Sequence, residues 1–146
     1  MTEDEIKRLV QRIYGDMFTN SNFDLADEMF ASDFVDHFDD PLPGQPLTGP
    51  EAVKWYARYL RTAFPDLRAT VEAIVVEGDL FAARAMWTGT HQNMFGFIPP
   101  TGKHIRIQAI DMARIANGKL AEHWGGWNYA HILIELGALP TPEGTQ

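Results

Sequence analysis

Residues 105–124, IRIQAIDMARIANGKLAEHW, decide the fold. Ile105, Ile107, Ala109, Asp111, Ala113 and Ile115 alternate strictly with Arg106, Gln108, Ile110, Met112 and Arg114. That period of two belongs to a half-buried β-strand. Asn117-Gly118 reads as a hairpin turn, and Glu122-His123-Trp124 lies on the returning strand. Working backwards, Phe81, Ala83, Ala85, Trp87, Gly89 and His91 share one face of a preceding strand. Residues 67–77 are rich in β-branched types, and Gly78-Asp79 turns the chain into that strand. Residues 94–102, MFGFIPPTG, form a loop with an apolar body. The stretch from Leu67 to Trp127 therefore predicts a long antiparallel meander.

The first 65 residues carry the other period. Ile6, Leu9, Val10, Ile13, Tyr14, Met17 and Phe18 fall on one helical face, opened by the capping-box spacing Thr2/Glu5 and closed by Asn20-Ser21. Asn22 can cap a short second helix carrying Leu25, Met29 and Phe30. The run DDPLPGQPLTGP, residues 39–50, is a loop by its prolines and glycines. Thr48/Glu51 repeats the capping-box spacing before a helix with Val53, Tyr56, Ala57, Leu60 and Phe64 on one side, stopped by Pro65. A short last helix carries Ile132, Leu133 and Leu136, with Gly137 and Pro140 after it. Helices followed by a meander predict an α+β fold: a curved antiparallel sheet with N-terminal helices packed over its concave face. Such a cone encloses an apolar interior, a natural small-molecule pocket. One domain over residues 1–146 fits the length.

Composition narrows the partners. The chain has no cysteine, which excludes disulfide scaffolding, thiol catalysis and thiolate metal sites. Twenty acidic against 12 basic residues give a net charge of -8, so nucleic acid and anionic lipid are poor partners. No apolar run approaches the ~20 residues of a membrane span. The N-terminal MTEDEIKR lacks the plan of a signal peptide, which leaves the cytoplasm as the default compartment.

Asp111 is the most informative residue, a carboxylate on a strand face otherwise made of Ile and Ala. Burial there is costly unless the group is paired or protonated, and it raises a carboxyl pKa toward acid–base use. Asp111 is either a receiver of structural hydrogen bonds or an acid–base group. Two registers are open. A two-residue Asn117-Gly118 loop sets Asp111 opposite Trp124. A three-residue loop including Ala116 sets it opposite His123, with Ala113, Ala121 and Gly125 on the same face and Ile110, Met112, Leu120 and Trp124 on the other. The second register is preferred, since it makes a pocket floor with a carboxylate–imidazole pair. His91 ends its strand and is a candidate for the pocket mouth. His37, flanked by Asp36, Asp39 and Asp40, lacks a second histidine at ligand spacing, so no metal site is expected. Phe18, Trp55, Tyr56, Trp87 and Trp127 serve as core, and also suit a flat hydrophobic ligand. Ile110, Met112 and Trp124 on the outer face are apolar for open solvent and predict a homo-oligomer, a dimer or tetramer.

The strings TGPEAV, TGTHQNMFGFIPPTGK, RIANGKLAEHW and ILIELG resemble the SnoaL-like polyketide (ester) cyclases of the NTF2-like superfamily, over nearly the whole chain. The resemblance implies a cone-shaped α+β fold and a cofactor-free intramolecular aldol condensation on a hydrophobic, polycyclic ester. It places family pocket positions on Phe18 and Tyr56, and family histidines on His91 and His123. The cyclases' acid–base Asp, two residues after the His of EHW, is Gly125 here. A second acidic position is Asn128, and a pocket His on the preceding strand is Asp111. The candidate catalytic set is thus Asp111, His123 and His91, with Phe18, Tyr56, Trp87, Trp127 and Asn128 as substrate contacts. The alternatives are an epoxide hydrolase or isomerase using the same pocket, and a non-catalytic binding protein.

Overall fold

The computed structural model describes residues 1–39 and 41–143; Asp40 of the acidic segment and residues 144–146 lie outside the described residues. Helix α1 spans Glu3–Arg12 and runs on as wider π-helical turns over Ile13–Thr19. Its capping box forms as the sequence predicts: Thr2 Oγ1 accepts from the Glu5 N–H, and the Glu5 carboxylate accepts from the Thr2 N–H. Ile6, Leu9, Val10, Ile13, Tyr14 and Met17 are buried along one face. Helix α2, Leu25–Met29, leads directly into β1, Phe30–Asp36. Helix α3 covers Gly49–Ala63. Strands β2 (Arg68–Glu77), β3 (Leu80–Thr90), β4 (His104–Ala116) and β5 (Lys119–Gly126) follow, and α4, Tyr129–Glu135, closes the order. The α4 C-terminus is capped by Gly137 at φ +77°. Among the described residues no helix is long and apolar enough to cross a membrane.

The five strands lie in the order β1-β5-β4-β3-β2, curved around the helices and unclosed. From β2 to β5 they form the expected antiparallel meander. The sheet is nevertheless not purely antiparallel, because β1 joins its edge parallel to β5. The sequence reading gave Phe30 to the second helix and missed this strand. The opening of β1, Phe30-Ala31-Ser32-Asp33, does not alternate, and its partner lies some 90 residues away, beyond any local signal. Thr48 occupies the N-cap of α3, but its side chain makes no capping bond; Glu51 accepts from Lys54 Nζ at 3.1 Å instead.

The β4–β5 hairpin corrects the register. Its turn is the two-residue Asn117-Gly118, with φ of +51° and +77°, and Ala116 pairs with Lys119. Such left-handed pairs match the twist of the flanking strands. A bulge then shifts the pairing: Ile115 faces Leu120, but Arg114 faces Glu122. Ala121 is the extra residue. Asp111 therefore lies opposite Gly125, and His123 opposite Ala113. Neither anticipated register occurs. The bulge keeps His123 on the inner face, diagonal to Asp111 rather than across from it, while Leu120, paired with Ile115 ahead of the bulge, is turned inward by the two-residue turn.

Gly125 has φ +111°, and a Cβ there would overlap the Ile110 carbonyl oxygen and stand 3.1 Å from Asp111 Cα. Gly125→Ala combines backbone strain with that overlap, and is expected to cost about 1–3 kcal/mol or more. Equilibrium urea unfolding of the two proteins measures it.

Candidate functional site

The helices and the inner face of the sheet enclose a cavity of about 80 Å³. Its walls are almost wholly apolar, with Phe30, Phe34 and Phe38 from the β1 region and Trp87 from β3 among them. Phe18 meets Trp87 edge-on at 5.1 Å between centroids, and Trp87 meets Trp127 at 5.5 Å. Tyr14, Asp36, Asp111 and His123 interrupt this lining, and Tyr56 brings a second hydroxyl to the wall.

These four form one connected chain of hydrogen bonds. Tyr14 Oη donates to Asp111 Oδ2 at 2.6 Å. Asp111 Oδ1 lies 2.8 Å from His123 Nε2, and Asp36 Oδ1 lies 2.8 Å from His123 Nδ1. Both ring nitrogens of His123 thus face carboxylate oxygens, an arrangement that only the doubly protonated imidazolium satisfies as a donor at both ends. Asp36 and Asp111 are 9% and 8% exposed, so the charges meet in a medium poorly screened by water. Burial alone would disfavour the charged ring. The hydrogen bonds and negative charges of Asp111 and Asp36 outweigh it and push the His123 pKa up to about 10. Burial first, then the Asp111 charge, raises the Tyr14 hydroxyl far above its ordinary range, so it stays a neutral donor. Removing one partner of such a buried set would leave an uncompensated charge, at a cost of about 3–5 kcal/mol.

Each member is held by its element. Asp111 sits mid-strand with Ala83 opposite on β3 and Gly125 opposite on β5. Those small neighbours leave room for groups to reach both carboxylate oxygens. Asp36 ends β1, where its N–H donates to the Leu47 carbonyl at 2.8 Å, while the next N–H, of His37, donates to the His123 carbonyl at 3.0 Å. The parallel β1–β5 pairing sets Asp36 beside His123. Tyr14 comes from the π-helical turns, and Phe18, four residues on, faces the cavity with it.

Of the sequence-predicted residues, the structure brings together Asp111, His123, Phe18, Tyr56, Trp87 and Trp127 around this cavity. His91 is not among them. It is fully buried behind the loop of residues 94–102, where its Nδ1 accepts from Thr101 Oγ1 at 2.9 Å and from the Thr101 N–H at 3.2 Å. Burial lowers its pKa, so the ring is a neutral pin for that loop rather than a group at the pocket mouth. Asn128 is exposed and caps α4, its Oδ1 accepting from the His131 N–H at 3.2 Å. His37 stacks on Trp124 and pairs with Glu122 at 2.9 Å on the outside of the sheet.

Sequence reasoning missed Tyr14 and Asp36 as site residues. Tyr14 was indistinguishable from a core residue of its helical face. For Asp36 a signal existed: Phe34, Asp36 and Phe38 alternate, and all three line the cavity.

The chain matches the family described as SnoaL-like polyketide cyclase over residues 8–136. It is 33% identical over 101 residues to the aklanonic acid methyl ester cyclase DnrD of Streptomyces peucetius, an alignment covering 67% of this chain and 69% of that protein. The aklanonic acid methyl ester cyclase DauD of Streptomyces sp. (strain C5) is likewise 33% identical over 101 residues, covering 67% of this chain and 62% of its own. In three dimensions the chain is similar to TsrD from Streptomyces laurentii, with a TM-score of 0.85 and 23% identity, covering 95% of this chain and 99% of that one.

The charge state of His123 gives stability a pH signature. Its folded pKa of about 10 exceeds the ordinary 6.5, so its contribution is complete below about 6.5 and is lost as pH rises through about 10. Thermal unfolding from pH 6 to pH 10 should show a decline in wild-type stability across that window. His123→Gln should lack the decline and be the less stable protein at pH 6.

Proposed function

Because the chain belongs to the SnoaL-like polyketide cyclase family, we propose that it closes a ring on a hydrophobic polyketide-derived ester by cofactor-free intramolecular aldol condensation. The observation that carries this reading is the imidazolium of His123 held between two buried carboxylates on the wall of an apolar cavity. An aldol closure moves one proton. It leaves a carbon next to a carbonyl, the resulting enolate attacks a second carbonyl, and the alkoxide so formed takes a proton back. The reaction needs an acid–base group in a dry, shaped site and a wall against which a flat substrate can fold. Asp36, Asp111 and His123 supply the proton-handling cluster. Phe18, Tyr56, Trp87 and Trp127 supply the wall. Gly125 carries no titratable group, so the cluster replaces the carboxylate the resemblance would put there.

The relatives' substrate, aklanonic acid methyl ester, is the first compound to test. If it or a related polycyclic ester is turned over, Asp111→Asn should lower kcat by about 10²-fold or more while changing KM much less. Steady-state kinetics with product analysis checks this. A wild-type protein that binds such esters without converting them would assign the fold to binding instead.

The same reading extends to assembly in the cytoplasm as a homo-oligomer. On the outer face of the sheet, Ile110, Met112 and Val75 are 62%, 42% and 66% exposed. Apolar side chains grouped on one sheet face suit a second copy. Sedimentation at micromolar concentration should find a dimer or larger species, and Ile110→Glu should shift it toward monomer.

A further inference from the structure

The hydrogen bonds divide the two carboxylates of the cluster unequally. Asp111 is engaged at both oxygens: Oδ1 takes the His123 Nε2–H at 2.8 Å and Oδ2 takes the Tyr14 hydroxyl at 2.6 Å. Asp36 receives one bond from the cluster, from His123 Nδ1–H to its Oδ1 at 2.8 Å. Among the described residues no hydrogen bond reaches Asp36 Oδ2, and Asp36 lines the cavity between Phe34 and Phe38. Hydrogen bonds to a carboxylate stabilise its charged form and weaken it as a base. An oxygen left without one keeps its lone pairs for a proton arriving from the cavity.

We propose that Asp36, rather than Asp111, is the carboxylate that exchanges the proton with the substrate, through Oδ2. Asp111 and Tyr14 are then positioning residues that keep His123 protonated and aimed at Asp36. This assignment rests on the cyclase reading for its reaction. The balance closes on a single residue. Asp36 Oδ2 takes the proton from the carbon next to the carbonyl, and the C–H electron pair becomes the enolate. The enolate carbon bonds to the second carbonyl carbon, whose π pair moves onto oxygen. That alkoxide recovers the same proton from the Asp36 carboxyl, which returns to carboxylate. Throughout, the His123 N–H to Asp36 Oδ1 bond holds the carboxyl group in place. No second acid is required, and the site functions without a titratable group at position 125.

A small apolar epoxide reads this division without any knowledge of the substrate. With 1,2-epoxybutane, a carboxylate oxygen attacks the terminal epoxide carbon, the ring C–O bond breaks, and the alkoxide takes a proton from water to leave a hydroxyalkyl ester. Peptide mass spectrometry locates the ester, with exposed Glu72 as the internal reference for unassisted labelling. The expected result is esterification of Asp36 faster than of Glu72, with Asp111 unlabelled. In Tyr14→Phe, which frees Asp111 Oδ2, the label should also appear on Asp111. In Asp36→Asn the cavity label should vanish. Ester on Asp111 of the unaltered protein, or no ester on Asp36, overturns the assignment. Turnover of aklanonic acid methyl ester is the separate arm: there Asp36→Asn should lower kcat by about 10²–10⁴-fold, the scale of general acid–base catalysis. Labelling at Asp36 without turnover of any polycyclic ester would sink the cyclase reading while leaving the reactive carboxylate in place.

Discussion

A carboxylate buried in the middle of an apolar sheet face is the constraint on which the rest of the structure depends. Asp111 stands between Ala109 and Ala113 on its own strand and faces small residues on both neighbours. In such surroundings an unpaired charge is untenable, and the group must either take up a proton or be supplied with donors. The chain supplies donors from two directions. Helix α1 widens into π-helical turns that bring the Tyr14 hydroxyl down from above. Strand β5 bulges at Ala121 so that His123 reaches it diagonally from the side. Each is a local irregularity in an otherwise regular element, and irregularities of this kind cost backbone hydrogen bonding. Their presence on either side of one aspartate is explained by its need for partners.

His123 then transmits the constraint to a second strand. A charged ring with one carboxylate would balance, yet its other nitrogen would remain a buried donor without an acceptor. Asp36 meets it, and does so only because β1 adds to the sheet in parallel beside β5. With the ring protonated, two carboxylates and one imidazolium leave the cluster one negative charge in excess. That excess is placed against a lining of Phe, Trp and Leu side chains. A low-dielectric wall sharpens every electrostatic interaction inside it, the ion pair and hydrogen bonds of this cluster included.

The fold was largely legible because its signals are local. Strict alternation in β3 and β4 and the 3.6-residue period of α1 and α3 can be read within windows of a dozen residues. What escaped was non-local or arose from a single inserted residue. Strand β1 has a broken alternation and a partner that only the finished sheet provides. The hairpin turn was one of two considered, but the bulge at Ala121 left no mark in a stretch reading Lys-Leu-Ala-Glu-His, and it moved Asp111 past both anticipated pairings. The inner face of His123 survived this error because a shift of two positions relative to the preferred register preserves side-chain direction, as the pleat requires. His91 and Asn128 were drawn into the candidate set by their neighbours in sequence. A histidine before a loop, however, serves equally as a loop anchor, and an asparagine before a helix as its cap.

The geometry at position 125 ties the composition of the site together. This is where the resemblance would put an acid–base aspartate, directly opposite position 111 across the β4–β5 ladder. Paired residues on the same face stand close enough that two like charges there oppose one another. With a carboxylate already at 111, a second at 125 would force one of them to remain protonated. It would also have to adopt φ near +111° and clear the Ile110 carbonyl. Glycine avoids both penalties and lets β5 close over Asp111. Absence of the carboxylate at 125 and presence of the one at 111 are therefore a single structural choice. Once it is made, the second carboxylate of the cavity comes from outside the β4–β5 ladder. Asp36, at the end of β1 and separated from Asp111 by the cationic ring of His123, occupies such a place, with the intervening charge relieving the repulsion that direct pairing would have imposed.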